Sequence, residues 1–231
     1  MTRLRCDDCP ARDQAACAAL SDPERAQLGA IGTQRTLAAG EMLFAPGDDH
    51  GCATLISGVL KQVRTDADGV ERIVALIHPA GFVGELFGPS DECEVRAVTS
   101  ARLCLFPRAA YTRMVAENPR LAMGVARRAL KASAESRALL DLIGRRRTEA
   151  RVAGLLLALA DAAGKEPCQS ADRFELPLTR GDMAAMLGTT IETVSRQLSA
   201  LEARGLIKRE GRRILHIMDA AGLTAVAGES A

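Results

Sequence analysis

Tryptophan is absent from this 231-residue chain, tyrosine occurs once, and aromatic residues make up 3% of it. Few ring faces are therefore available to stack unpaired bases, which argues against a single-strand nucleic-acid binder. Long apolar runs are missing too: no stretch approaches the ~18 residues that cross a bilayer, so no membrane partner is expected. The first twenty residues carry charges and cysteines where an export signal would carry an apolar block. The expected location is the cytoplasm, a reducing compartment. An excess of one charge is lacking as well, because 30 basic and 29 acidic residues leave a formal net charge of +1. That balance neither supports nor excludes nucleic acid, since a small basic surface can sit on a neutral protein. The three histidines are scattered and no nucleophile, base and orienting-acid set accompanies a pocket motif, so an enzyme is the least expected class.

What is present fits an α+β protein long enough for two compact domains. Residues 1–30 read as a cysteine-rich sensor arm, with a short helix from Asp22, where Pro23 fits the first turn. Over residues 31–115, β-rich runs alternate with glycine at roughly ten-residue spacing, the pattern of an antiparallel β-barrel or jelly roll. Within it, Leu60–Arg64 and Arg72–Leu76 flank Asp66-Ala67-Asp68-Gly69 as a hairpin. Pro107 closes the strands. Residues 116–146 hold a long helix from Pro119 to about Arg145, in which Val125, Ala129, Ala132, Ser136, Leu139 and Ile143 recur at alternating four- and three-residue steps. That is the seam of a coiled coil, hence a homodimer; a helix packed on its own domain is the alternative, disfavoured by the length. Its small central residues bury little area at ~25 cal/mol per Å², so the dimer is expected to be marginal and switchable.

Residues 147–231 carry the most specific pattern. Thr179 with Asp182 resembles a capping box opening one helix, Gly188 supplies a turn, and Thr190 caps a second helix that Gly205 ends. This is a helix-turn-helix, the reader of double-stranded DNA. Val194, Leu198 and Leu201 fall on the core side of the second helix, leaving Glu192, Ser195 and Arg196 outward near the end that enters a major groove. Arg196 suits guanine O6 and N7, Glu192 suits cytosine N4, and Ser195 accepts either polarity or a thymine methyl. Thr179, Arg180 and Gln197 complete the DNA-facing set. A small hairpin around Gly211 offers Lys208, Arg209, Arg212 and Arg213 to phosphates, contacts that position without specifying.

β domain, long helix and winged helix-turn-helix together resemble the CRP/FNR family over about Gln34 to Met218. Thr190-Ile191-Glu192-Thr193-Val194-Ser195-Arg196 is similar to the recognition helix of FNR-type members, which carry Glu, Ser and Arg at these places. The resemblance implies a cyclic-nucleotide-binding-like sensor domain and a dimer that reads palindromes with TTGAT half-sites. It also implies activation through RNA polymerase, with the Asp66–Arg72 hairpin as a contact. Ile191 departs from members that read the CRP-type site, which have an Arg there. The loop Gly88–Glu94 is short and acidic where nucleotide-binding members place an Arg-Ser pair, and Arg96 is the only nearby cation. Carboxylates repel a cyclic phosphate, so Gly84 and Glu85 read as scaffold.

Seven cysteines in a reducing compartment point to metal or redox chemistry. Cys6-x2-Cys9-x7-Cys17 leaves zinc, an iron-sulfur cluster and a redox pair open by spacing alone, and a tetrathiolate site needs a fourth donor. Strand alternation turns Leu103 and Leu105 inward and Cys104 outward, within reach of a folded-back arm. Cys93 is the runner-up; Cys52 reads as a buried side chain and Cys168 as a linker thiol. FNR proteins and their FnrL and FnrN relatives have three N-terminal cysteines and one before the dimerisation helix, holding an oxygen-labile 4Fe-4S cluster. The resemblance carries those roles to Cys6, Cys9, Cys17 and Cys104. FNR-type members also place a charge opposing dimerisation where Ser136 stands here, so the resemblance implies either that Glu135 supplies that repulsion or that the oxygen response is tuned differently.

Overall fold

The computed structural model describes residues 2–3, 6, 8–47, 51–87, 92–164, 171–211 and 213–228. The chain divides into two units, Met1–Ser136 and Arg137–Ala231. The first begins with β1 (Thr2–Arg3), a turn-rich segment ending in a 3-10 turn (Ala16–Ala19), and α1 (Asp22–Ile31). Ser21 caps α1 in a capping box with Glu24, whose carboxylate accepts the Ser21 N–H at 2.7 Å, and Pro23 lies in the first turn as the sequence suggests.

Eight strands follow: β2 (Thr33–Leu37), β3 (Met42–Phe44), β4 (Cys52–Ser57), β5 (Leu60–Thr65), β6 (Glu71–Ile77), β7 (Phe82–Val83), β8 (Glu94–Ala97) and β9 (Ala101–Phe106). They form two antiparallel sheets, β1-β2-β9-β4-β7 and β3-β8-β5-β6. The fold is therefore jelly-roll-like, and among the described residues no strand pair closes it into a barrel. Sharp corners explain this. Only Gly58 and Val59 separate β4 from β5, which lie in opposite sheets. Gly58 has φ +89°, and a Cβ on it would stand 2.3 Å from the Ser100 carbonyl oxygen, so a residue with a side chain would break the turn. The expected β5–β6 hairpin is present, with Asp66 Oδ1 accepting the N–H groups of Asp68 and Val70 at 3.0 and 2.9 Å. Leu37, Leu55, Leu60, Val95 and Leu103 pack between the sheets.

Behind the larger sheet lies a second cluster, in which Leu20, Leu28, Cys52, Phe106, Tyr111 and Leu121 are buried together. Much of it comes from α2 (Arg108–Glu117), a helix the sequence reading did not assign because only Tyr111 and Val115 mark its buried face. The long helix α3 runs over Pro119–Gly144, in agreement with the expected span.

The second unit contains α4 (Thr148–Ala163), β10 (Arg173–Glu175), α5 (Arg180–Leu187), α6 (Ile191–Ala203), β11 (Ile207–Glu210), β12 (Ile214–Ile217) and α7 (Ala220–Gly228). Three strands form a sheet in the order β10-β12-β11. β10 is a strand that the sequence reading did not assign; its Phe174, opposite Leu215, is buried in the core. No helix among the described residues is long and apolar enough to cross a membrane.

Candidate metal centre and candidate nucleic-acid interface

The arm folds back on the second cluster because its small residues permit close packing. Ala11 and Ala15 are buried against Ala80, a residue with φ +66° in the β6–β7 turn, whose backbone cost the packing sustains. The Arg12 N–H donates to the Cys9 carbonyl at 3.0 Å and the Ala15 N–H to that of Ala11 at 2.9 Å. The fold-back brings Cys6, Cys9 and Cys17 to one cavity with Cys104, which pairs with Gln34 on β2 and Thr54 on β4. Arg25, Leu28, Phe106 and Tyr111 also line it.

Strand alternation holds at this point: Leu103 is fully buried between the sheets, Leu105 packs on the same core, and Cys104 faces the second cluster. Cys93 is half-buried and does not line the cavity. Cys52 is fully buried, its thiol pushed up to about 12 by burial. Cys168 lies outside the described residues.

The electrostatics are those of thiols sharing one place. Burial pushes Cys104 up to about 12, and Cys9, Cys6 and Cys17 push the same way. Cys17 is raised by burial and then by Cys9 and Cys6, against smaller downward pulls from its own backbone and Arg25. None of these thiols is in a disulfide, and among the described residues no group of three or more His, Cys, Asp or Glu side chains is placed to hold one metal ion.

Two contacts missed by sequence reading tie the arm to α3. Asn118 Oδ1 accepts the Leu121 N–H at 3.0 Å, while its amide donates to Glu24 Oε1 at 2.9 Å. One carboxylate thus serves the starts of both α1 and α3, and hydrogen bonds from the Ser21 hydroxyl, the Ser21 N–H and the Asn118 amide hold it down at about 2. At Gly124, a Cβ would stand 2.0 Å from the carbonyl oxygen of Ala16, the neighbour of Cys17. The Ser21-x-x-Glu24 spacing is a local capping-box signal that the sequence reading did not use; no local signal marks Asn118 or Gly124.

On α3, residues 129–138 are all exposed, including the seam residues Ala129, Ala132 and Ser136. Val125 is half-buried against the second cluster, and Leu139 and Ile143 are half-buried. The seam reading omitted Leu140, 68% exposed, which follows Ser136 by one turn. The Ser136 hydroxyl donates to the Ala132 carbonyl at 3.0 Å, and Lys131 lies 3.8 Å from Glu135.

In the second unit Thr179 caps α5, its hydroxyl oxygen accepting the Asp182 N–H at 3.0 Å. Gly188 ends that helix at φ +60°. Thr190 caps α6 by accepting the Thr193 N–H at 3.2 Å. Val194, Leu198 and Leu201 are buried, as their spacing required. Glu192 and Arg196 are exposed and Ser195 and Gln197 half-exposed. Glu192 is lowered by its own backbone N–H and the Thr190 hydroxyl, then by Arg196, and Arg196 donates to the Thr193 hydroxyl at 3.3 Å. Arg180 and Lys208 are exposed. Arg213 stands 3.6 Å from Glu175, and Arg212 lies outside the described residues. Arg209 is held by Glu202 on α6 through Nε at 2.9 Å and its backbone N–H at 2.8 Å. It braces the wing, a placement at odds with the phosphate role expected of it.

Arg96, the cation nearest the shortened loop, is half-buried and paired with Glu94, with Glu71 at 4.0 Å. Of that loop, residues 88–91 lie outside the described residues.

A jelly-roll domain, a long helix and a winged helix-turn-helix define a transcription-regulator architecture, not an enzyme. Residues 34–118 match the cyclic nucleotide-binding domain family and residues 150–226 the Crp-like helix-turn-helix domain family. The chain is 35% identical over 229 residues to the transcriptional activator protein FnrL of Cereibacter sphaeroides, covering 97% of this chain and 92% of that one. It is 30% identical to the nitrogen fixation regulation protein FixK of Bradyrhizobium diazoefficiens, covering 87% and 85%. The structure of FixK2 from Bradyrhizobium japonicum superposes with a TM-score of 0.77 at 22% identity, over 87% of this chain and all of that one. The chain belongs to the CRP/FNR family of DNA-binding transcription regulators.

Proposed function

We propose that the chain is an oxygen-responsive activator in which Cys6, Cys9, Cys17 and Cys104 hold a 4Fe-4S cluster. In this reading the cluster-bearing form binds FNR-type palindromes as a homodimer. The observation that carries the proposal is the single cavity lined by three arm thiols and one strand thiol, 87 residues beyond Cys17. The residues present fit such a group. Four thiols line one cavity, the number of sulfur donors that a 4Fe-4S cluster takes. Arg25 lines the same cavity, and its buried Nε has no partner among the described residues. When bound, the cluster supplies an oxygen-labile link between the arm and β9.

The chain's residues do the rest. The 3-10 turn seats the arm on Gly124, Glu24 and Asn118 join α1 to α3, and Ala129, Ala132, Ser136 and Leu140 meet their copies in the partner. Because small side chains bury little, the pairing responds to a few kcal/mol at the arm. Glu192, Ser195 and Arg196 read base edges, with Arg180, Gln197, Lys208, Arg212 and Arg213 supporting; Thr179 positions α5 by capping it. Activation follows the named relatives, through RNA polymerase and the exposed β5–β6 hairpin, where Val70 is 51% exposed.

The test is iron and sulfide analysis of anaerobically purified protein, with DNA binding measured before and after air exposure, on the parent and on Cys104→Ser. The parent is expected to be coloured, iron-bearing and dimeric on its palindrome, losing all three in air, and Cys104→Ser to lack iron. Colourless, iron-free parent that still binds the palindrome as a dimer refutes the proposal; zinc in its place assigns the cavity to a structural ion.

A further inference from the structure

One charged side chain of α1 enters the interior. Arg25 is 6% exposed, precedes the buried Leu28 by one turn, and lines the cavity of the four thiols. Two of its nitrogens are engaged: Nη1 donates to Asp22 Oδ1 at 2.9 Å and Nη2 to the Leu20 carbonyl at 2.8 Å. Asp22 is 81% exposed and also receives Arg12 at 3.1 Å, so the countercharge lies in water while the guanidinium does not. Nε is buried and, among the described residues, has no partner. A buried donor is costly to leave unpaired, and one on a charged group more so. Four thiolates around a 4Fe-4S core in its 2+ state sum to a dianion, whose sulfurs accept such a donor.

We propose that Arg25 is a positioning residue of the sensor, its Nε–H and charge reserved for the sulfur of a dianionic cluster, and that it sets how tightly the cluster is retained. The inference rests on the cluster reading above. It predicts opposite signs with and without the group. In the iron-free protein the guanidinium is a burden, so Arg25→Met, similar in length but uncharged, melts at or above the parent's temperature. In the loaded protein the same change removes a charge-assisted hydrogen bond.

The experiment follows loss of visible absorbance as iron passes to a chelator under anaerobic conditions, for the parent, Arg25→Met and Arg25→Lys, beside thermal melts of the three iron-free proteins. Release from Arg25→Met is expected to be on the order of tenfold faster than from the parent, with Arg25→Lys between them because it keeps charge without the Nε donor. Equal release rates for loaded parent and both variants overturn the proposal. So does faster release accompanied by a lower iron-free melting temperature, or failure of Arg25→Met to fold, either of which assigns Arg25 a structural role. A parent without iron refutes the cluster reading itself, a result distinct from these.

Discussion

Gly124→Ala sets two effects of opposite sign against each other. Inside a helix, alanine is better than glycine by about 1 kcal/mol, so α3 considered alone gains. At this position the new Cβ would lie 2.0 Å from the Ala16 carbonyl oxygen, 2.9 Å from its carbon and 3.1 Å from its Cα. All three are backbone atoms, which no rotamer change moves, so the 3-10 turn must lift by an ångström or more. Lifting it exposes Ala16 and Leu20, 2% and 4% exposed when seated, and losing a buried leucine costs roughly 1.5–3 kcal/mol. The arm should therefore detach while the helix holds. Hydrogen exchange by mass spectrometry reads both, with protection falling over residues 11–20 and unchanged or rising over 119–135. Iron retention should fall by about tenfold per 1.4 kcal/mol of seating lost. A Gly124→Ala protein that keeps arm protection and iron while melting higher would refute the argument, since the contact would then be soft and the glycine merely tolerated.

Cys93→Ser is expected to keep the parent's iron content while Cys104→Ser loses it, because only Cys104 lines the cavity; the reverse result in iron analysis moves the fourth ligand. Arg196→Ala should cost about 1–3 kcal/mol on the preferred half-site and flatten discrimination at one base, whereas Lys208→Ala should weaken all sequences alike, which binding titrations over several salt concentrations separate. Leu140→Glu should raise the dimer dissociation constant by tenfold or more, since each copy loses roughly 1.5–3 kcal/mol of burial; unchanged sedimentation would remove Leu140 from the interface. Glu24, held down at about 2, contributes fully above the ordinary carboxylate pKa of about 4.3 and loses that contribution as pH falls toward 2. The stability advantage of the parent over Glu24→Gln should thus shrink from about pH 6 to about pH 3 in urea melts, and an unchanged gap would show that the carboxylate carries no tie.

Sequence made some of this molecule legible and concealed the rest for identifiable reasons. Caps and turns are local, so Thr179 with Asp182, Thr190, Gly188 and the Asp66 hairpin were readable from a few neighbouring residues each. Strand alternation is local as well, and it turned Cys104 toward the arm before any tertiary contact was known. α2 escaped because two buried residues in ten are a faint period, and β10 because a three-residue strand whose single buried side chain meets a distant partner has no period at all. Arg209 was misjudged for a related cause: a cation on a wing suits phosphate, and only the tertiary path of α6 brings Glu202 to it. The expected seam on α3 includes Val125, which the chain's own core partly covers, and leaves out the exposed Leu140, because period alone does not say which flank of a stripe the domain already occupies.

The residues that sequence reading missed have something in common, and it bears on how the proposed sensor would reach the DNA-binding unit. Cys17 neighbours Ala16, Ala16 rests on Gly124, and Gly124 lies one residue from Val125, where the helix leaves its own core for ten exposed residues. In parallel, Glu24 binds Ser21 and Asn118, fixing the first turns of α1 and α3 with one carboxylate. Both links fall on the first two turns of α3, upstream of every fully exposed residue at which a second copy would pack. On the proposed reading, a change at the thiols would therefore act on the helix's entry, not on the interface itself. Such a device needs an interface already close to balance, because a displaced arm supplies only a few kcal/mol. The alanines and serine at the centre of the proposed seam would meet that requirement: a leucine-rich seam would hold whatever the arm did, and the oxygen chemistry proposed for the cysteines would then leave DNA binding unchanged.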